Sequence, residues 1–110
     1  FYRAKSLEGS TIMGPYITSV DEITYPPELH LQSYVNKELR QNSNTKFFIF
    51  DIGYVLEELS SGMLLKAGTI ISMGTPSGVG MGLNPPVFLK KDDEVRCVIE
   101  NLGEICNTIS

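Results

Sequence analysis

A glycine-rich segment at residues 71–82 constrains the fold more than any other stretch of this sequence. It reads ISMGTPSGVGMG, and its first residue, Ile71, ends the strand-like run Thr69-Ile70-Ile71. Strand-like residues that end in closely spaced glycines indicate that the backbone turns sharply there or approaches another group closely. The hydroxyls of Thr75 and Ser77 and the uncovered backbone amides suit an anion or a keto acid. A glycine-rich turn without a ligand fits the same pattern equally well.

Two familiar phosphate-binding motifs do not describe this segment. A Walker-type loop ends in Gly-Lys-Ser or Gly-Lys-Thr, and that ending is missing. Gly74, Gly78 and Gly80 also lack the G-x-G-x-x-G spacing of dinucleotide-binding turns, and no helical pattern follows them.

Alternating apolar residues predict two β-hairpins. Residues 29–35 alternate between apolar and polar, Asn36 and Lys37 fit a two-residue turn, and residues 38–41 then return as a strand. A polar turn is predicted at 42–45. The second hairpin is predicted to pair 95–100 with 104–109 around a turn at 101–103.

One helix interrupts the strands. Asp51 can cap a helix over 51–61, in which apolar residues recur at the helical spacing at Ile52, Val55, Leu56 and Leu59. Short strands are predicted at 68–72 and 87–89. Many short strands and one short helix place the chain in a mostly β fold class.

Composition narrows the classes of function. The chain has 110 residues, enough for one domain, and its net charge of -4 argues against nucleic-acid binding. No apolar stretch is long enough to span a membrane, so no membrane contact is expected. Cys97 and Cys106 do not have zinc-ligand spacing; they could face each other in a hairpin as a disulfide, but free thiols in a cytoplasmic protein are favoured.

Taken in order, several segments resemble the fumarylacetoacetate hydrolase family. The strongest part is Gly-Thr-Pro-Ser-Gly-Val-Gly at 74–80, and Ala-Lys-Ser at 4–6 is a second part. The other matching segments are Phe1-Tyr2-Arg3, Met13-Gly14-Pro15, Asp21-Glu22-Ile23, Val35-Asn36, Glu38, Arg40-Gln41, Asn44-Thr45, Ile49-Phe50, the helical segment 52–60, Pro85-Pro86, Phe88-Leu89-Lys90, Gly103 and Asn107-Thr108.

The resemblance implies a fold and a chemistry. The fold would be a mixed β-roll with one or two short helices, and residues 1–110 would be the C-terminal portion of one catalytic domain. Family members hydrolyse, decarboxylate or isomerise oxo acids such as acylpyruvates and fumarylpyruvate. They use a divalent cation, commonly Mg, Mn or Ca, and are usually homodimers in the cytoplasm. The expected partners are therefore a small oxo-acid substrate and a second copy of the protein.

The resemblance assigns roles to three residues. Lys5 matches the family lysine beside the substrate, where an ammonium would neutralise a carboxylate or a developing enolate, so it is the predicted catalytic and substrate-binding residue. Thr75, with Gly74 beside it, is predicted to bind the substrate carboxylate. An ordinary exposed lysine and a hydroxyl that only completes a turn are the alternative interpretations.

No metal ligand is predicted within this chain. In the family the carboxylates that hold the cation precede the Ala-Lys-Ser motif, so that portion is expected to lie outside residues 1–110. A catalytically inactive remnant that keeps only the fold and the oligomer contacts is therefore the alternative function. The chain alone is expected to be inactive and to expose apolar surface that promotes association, with Phe47, Phe48 and Phe50 as candidates.

Overall fold

The structure, a computed structural model, describes residues 7–110. In this part of the chain, four antiparallel strands form a single sheet. The strands are β1 (His30–Val35), β2 (Glu38–Asn44), β3 (Glu94–Ile99) and β4 (Gly103–Thr108), in the spatial order β2-β1-β3-β4. One α-helix, α1 (Ile52–Gly62), and three short 3-10 helices at Val20–Glu22, Thr45–Phe47 and Gly80–Gly82 complete the described elements. The predicted mostly β fold with a short helix is confirmed.

The first predicted hairpin is present, and its turn is anchored to a third strand. Asn36 and Lys37 both have positive φ angles, 48° and 69°, as a tight two-residue hairpin turn requires. The Asn36 side chain donates to Asp93 Oδ1 at 2.8 Å and accepts from the Glu94 backbone amide at 2.9 Å. These bonds fix the tip of the β1–β2 hairpin against the start of β3.

A β-bulge interrupts the pairing of β1 with β2. Ser33 pairs with Gln41 and Tyr34 pairs with Leu39, so Arg40 is the extra residue between them. An extra residue shifts the alternation of side chains between the two faces of a strand. Because of the bulge, the consecutive residues Arg40 and Gln41 both line the same cavity.

The polar turn predicted at 42–45 is wrong for most of its length. Strand β2 continues to Asn44, and Asn42 and Asn44 pair with Gln32 and His30 of β1. Its polar residues resemble a loop in the sequence, but β2 lies at the edge of the sheet, where polar side chains are well tolerated. Only Thr45 leaves the strand and begins a 3-10 helix.

The second hairpin lies one residue earlier than predicted, and its register separates the two cysteines. Cys97 is opposite Ile105, whereas Cys106 is opposite Arg96. Side chains of directly paired residues share a face and those of neighbouring residues alternate, so the two thiols lie on opposite faces of the sheet. Both cysteines are free thiols, as favoured from the sequence, and the disulfide alternative is wrong.

The predicted helix is also present, displaced by one residue. Asp51 is its N-cap, and its carboxylate accepts a hydrogen bond from the Tyr54 amide at 2.7 Å. The helix ends at Gly62. Ile52, Val55 and Leu59 are half-buried along one face, as the helical spacing predicts.

The short strands predicted at 68–72 and 87–89 are wrong. Neither segment belongs to the sheet, although Val87 donates its amide to the Gly80 carbonyl at 2.9 Å. Apolar runs of this length do not distinguish a paired strand from an extended loop, because the difference depends on a partner that is remote in the sequence.

Few side chains of the described part are buried. Leu29 is the one buried apolar residue among residues 7–110, and Ser33 is the one buried polar residue. Many large apolar side chains are exposed, including Ile17, Ile49 and Leu64. Phe47 and Phe50 are 68% and 58% exposed, as predicted, whereas Phe48 is half-buried. Apolar surface of this extent is typical of a region that another surface covers.

Candidate functional site

The glycine-rich loop lies against the bulge of β2. Gly78 has a φ of 105°, and a Cβ atom built on it would overlap the carbonyl oxygen of Arg40 and lie 2.8 Å from the carbonyl carbon. A Cβ on Gly80 would likewise overlap the carbonyl oxygen of Val87. Both glycines are therefore required by close packing of backbone on backbone. For Gly78 this favours a role in the turn over direct approach to a ligand.

Gln41 connects the loop to the sheet. Its side-chain nitrogen Nε2 donates to Thr75 Oγ1 at 2.7 Å and to the Pro76 carbonyl oxygen at 2.9 Å. Its oxygen Oε1 accepts a hydrogen bond from Ser33 Oγ, also at 2.9 Å. Ser33 is buried in the central strand β1, so three hydrogen bonds link the Gly-Thr-Pro turn to the most enclosed part of the sheet.

Gly74 and Thr75 occupy the exposed tip of this anchored loop. Gly74 has a φ of 95°, and a Cβ built on it would meet no atom of residues 7–110 within 4 Å. The Thr75 side chain is accessible, and the only hydrogen bond its hydroxyl donates within the described residues is a long one of 3.5 Å to the Pro76 carbonyl. A hydroxyl and a glycine amide at an open, fixed position can donate hydrogen bonds to an anion.

A cavity of about 690 Å³ lies on the side of the loop that faces the sheet. Its wall is mainly apolar, with Val35, Val79 and Phe88, and its charged groups are Arg40, Lys90 and Asp93. Gly74 and Thr75 do not line it. The predicted substrate-binding pair and this cavity are therefore separate features, with Gln41 between them.

The charges at the cavity are partly paired. Arg40 Nε lies 3.4 Å from Glu38 Oε1, close enough for an ion pair but without hydrogen-bond geometry, and this buried nitrogen has no hydrogen-bond partner within residues 7–110. The pKa of Asp93 is lowered, first by the hydrogen bond from Asn36, then by the amide of Lys90, and further by the charges of Lys90 and Arg40. Asp93 is therefore held as a carboxylate.

The predicted catalytic residue, Lys5, lies outside the described residues. Among residues 7–110, no group of three or more His, Cys, Asp or Glu side chains could hold a metal ion. Asp93 is the one acidic residue among those that line the cavity, and its charged neighbours there are the cations Arg40 and Lys90, so the described residues do not fit a divalent cation site. His30 is exposed, and its ring forms a hydrogen bond with Asn42.

Sequence reasoning missed the role of Gln41. Arg40-Gln41 matches the family pattern in the sequence. A glutamine in a strand, however, does not indicate a hydrogen-bond partner 34 residues away. The signal that could have found it is the pairing of a buried serine with a glutamine across two predicted strands. Such a pair indicates a polar group that needs further partners.

The chain belongs to the fumarylacetoacetate hydrolase family. The family model for the fumarylacetoacetate (FAA) hydrolase C-terminal domain matches residues 1–110. The chain spans about a third, 36%, of the length of the curated relatives that it matches. No helix of the described part is both long and apolar enough to cross a membrane.

Solved structures of similar proteins agree with this membership. A fumarylacetoacetate hydrolase from Exiguobacterium antarcticum is 41% identical, with a TM-score of 0.93 over 98% of this chain and 39% of its own. A maleylpyruvate hydrolase from Sphingobium sp. SYK-6, solved with manganese(II) and pyruvate, is 38% identical, with a TM-score of 0.75 over 86% of this chain and 33% of its own. A 2-hydroxyhepta-2,4-diene-1,7-dioate isomerase from Mycobacterium marinum is 34% identical, with a TM-score of 0.72 over 86% and 34%.

Proposed function

We propose that these residues form the C-terminal portion of the catalytic domain of a divalent-metal-dependent enzyme that acts on oxo acids. The reaction would be hydrolysis of a carbon–carbon bond in an acylpyruvate or fumarylpyruvate-type substrate, or a related decarboxylation or isomerisation. The solved relatives support this class, because they include a hydrolase and an isomerase of such compounds.

One observation supports a role for Thr75 in binding the substrate. Thr75 is held at an exposed loop tip by the 2.7 Å hydrogen bond from Gln41, and none of the residues that the structure describes fills the space at the Cβ position of Gly74. A donor that is fixed before the substrate arrives binds a carboxylate without the entropic cost of ordering a loop. In this proposal the Thr75 hydroxyl and the neighbouring backbone amides receive the carboxylate of the oxo acid.

Lys5 and the cation complete the proposed site from outside the described residues. The Lys5 ammonium would neutralise negative charge that develops on the substrate as an enolate forms. A divalent cation would polarise the keto oxygen when bound. Its ligands are assigned to a preceding portion of the protein, since the described residues do not fit it; the manganese in the Sphingobium relative supports cation use in the family.

The full-length gene product, assayed with acylpyruvates and fumarylpyruvate in the presence of Mg or Mn, tests this proposal. We expect metal-dependent turnover and, for Thr75→Val, a rise in KM of about tenfold or more, because a hydrogen bond to a charged group is lost. Thr75→Ser, which keeps the hydroxyl, is the matched control and should stay near the wild-type KM. No turnover across the panel would count against the enzyme and favour the inactive remnant.

A further inference from the structure

The Gln41 amide can be oriented from its partners alone. A backbone carbonyl only accepts hydrogen bonds, so the group facing the Pro76 carbonyl at 2.9 Å must be the amide nitrogen. The same nitrogen therefore faces Thr75 Oγ1, and the amide oxygen faces the Ser33 hydroxyl. Both amide hydrogens have partners, one on Thr75 and one on Pro76.

This orientation determines what the Thr75 hydroxyl can do. A threonine hydroxyl has one hydrogen to donate and two lone pairs that accept. Gln41 occupies a lone pair, and an amide nitrogen offers no acceptor in return. Within residues 7–110 the one other hydrogen-bond acceptor recorded for the hydroxyl, the Pro76 carbonyl, lies 3.5 Å away, at the limit of hydrogen bonding. The hydroxyl hydrogen is therefore available to a ligand at the loop tip.

We infer that Gln41 is a positioning residue that turns the Thr75 hydroxyl outward, as the donor that receives the carboxylate of the oxo acid. The inference rests on the function proposed above and adds to it a residue that acts through Thr75 and does not touch the substrate. The bulge at Arg40 and the close packing of Gly78 support the same geometry, since together they bring the loop within reach of Gln41.

Substituting Gln41 should change the direction of the hydroxyl. Gln41→Met keeps the length of the side chain and removes the amide, so the Thr75 hydroxyl loses its fixed orientation. Gln41→Glu keeps the shape, but a carboxylate accepts and does not donate. The Thr75 hydroxyl would then donate inward to the carboxylate of the glutamate variant, and its hydrogen would be lost to the substrate.

The test measures binding to the full-length gene product loaded with Mn²⁺, by isothermal titration calorimetry. Pyruvate is the probe, and methyl pyruvate, which keeps the keto group but lacks the carboxylate charge, is the matched ligand. For pyruvate we expect Gln41→Met to raise Kd about fivefold to tenfold and Gln41→Glu to raise it more, because a charge-assisted bond is weakened or lost. For methyl pyruvate, the Kd of both Gln41 variants should differ from that of the wild type by about twofold or less.

A double-variant cycle distinguishes positioning from a merely structural role. If Gln41 acts through Thr75, Gln41→Met in the Thr75→Val background should raise Kd for pyruvate no further than about twofold, because the shared interaction is already absent. Gln32→Met is the control substitution: Gln32 is on the same sheet, next to Ser33 and on its opposite face. It should leave pyruvate binding unchanged.

Each outcome has one interpretation. Absence of pyruvate binding by the wild-type protein would overturn the proposed function and this inference with it. Pyruvate binding that depends on Thr75 but not on Gln41 would overturn this inference alone. If Gln41→Met weakens the binding of pyruvate and methyl pyruvate equally, Gln41 has a structural role and the inference is overturned. The same holds if Gln41→Met weakens pyruvate binding as much in the Thr75→Val background as in the wild type. If Gln41→Met does not fold, Gln41→Glu carries the same comparisons.

Discussion

The glycine-rich loop needs glycine for two different reasons, a positive φ and close packing against backbone. Three glycine-to-alanine substitutions in the loop and one control substitution outside it separate these reasons. Gly74 has a positive φ, and no described residue lies within 4 Å of its Cβ position, whereas a Cβ on Gly80 would overlap the Val87 carbonyl without a positive φ. Gly78 combines a positive φ with overlap of the Arg40 carbonyl. Gly62, at the end of α1, has neither feature and is the control.

The expected losses of stability follow from these two features. An alanine held at a positive φ lowers the free energy of unfolding by about 1–3 kcal/mol. A Cβ forced against backbone costs about 1–3 kcal/mol, since the carbonyl must move. We therefore expect Gly74→Ala and Gly80→Ala each to lower the free energy of unfolding by about 2 kcal/mol and Gly78→Ala by about 4 kcal/mol. Gly62→Ala should be neutral or stabilise by up to about 1 kcal/mol.

Urea denaturation of the full-length gene product, followed by circular dichroism, measures the four values under one condition. A loss of about 4 kcal/mol is a large share of the stability of an ordinary domain, so Gly78→Ala should also lower the yield of folded protein. A Gly78→Ala loss no greater than that of Gly74→Ala would refute the close packing of the loop on the β2 bulge. It would also remove the basis for the contact between Gln41 and the loop.

Three further predictions concern the helix, the acid limb of stability and association. Asp51→Ala should lower the free energy of unfolding by about 1 kcal/mol because the bond to the Tyr54 amide is lost, and Asp51→Asn should retain most of it in thermal melts. The folded pKa of Asp93 lies below its ordinary value of 3.8, chiefly through Asn36, so its contribution to stability is present above 3.8 and lost as pH falls through the folded pKa. Acid titration should therefore show a steeper loss of stability below 3.8 for the wild type than for Asp93→Asn, and equal slopes would contradict this. The 110-residue polypeptide should self-associate in analytical ultracentrifugation, and Phe47→Ser should weaken the association, whereas a stable wild-type monomer would contradict the prediction.

Local sequence signals predicted the elements that local chemistry determines. The hairpin turn at Asn36 and Lys37 and the helix start at Asp51 depend on residues next to each other, and both are present. The extension of β2 to Asn44 was missed because a polar edge strand and a polar loop have the same composition. The strands predicted at 68–72 and 87–89 failed because pairing depends on a remote partner.

The candidate site was also predictable only where neighbouring residues in the sequence determine it. The Gly-Thr-Pro motif was visible, and its roles for Gly74, Thr75 and Lys5 remain predictions. The bulge at Arg40 arises from the register of the β1–β2 hairpin, and two of the three hydrogen bonds of Gln41 join segments 34 and 35 residues apart. A single sequence encodes neither as a local pattern.

A crystal structure of the full-length gene product with Mn²⁺ and pyruvate tests the central claim most directly. We predict a pyruvate carboxylate oxygen at about 3 Å from Thr75 Oγ1, with the Lys5 ammonium beside the same ligand. Pyruvate bound instead in the cavity beside Arg40 and Lys90, with Thr75 facing solvent and Lys5 on the far side of the molecule, would contradict the claim.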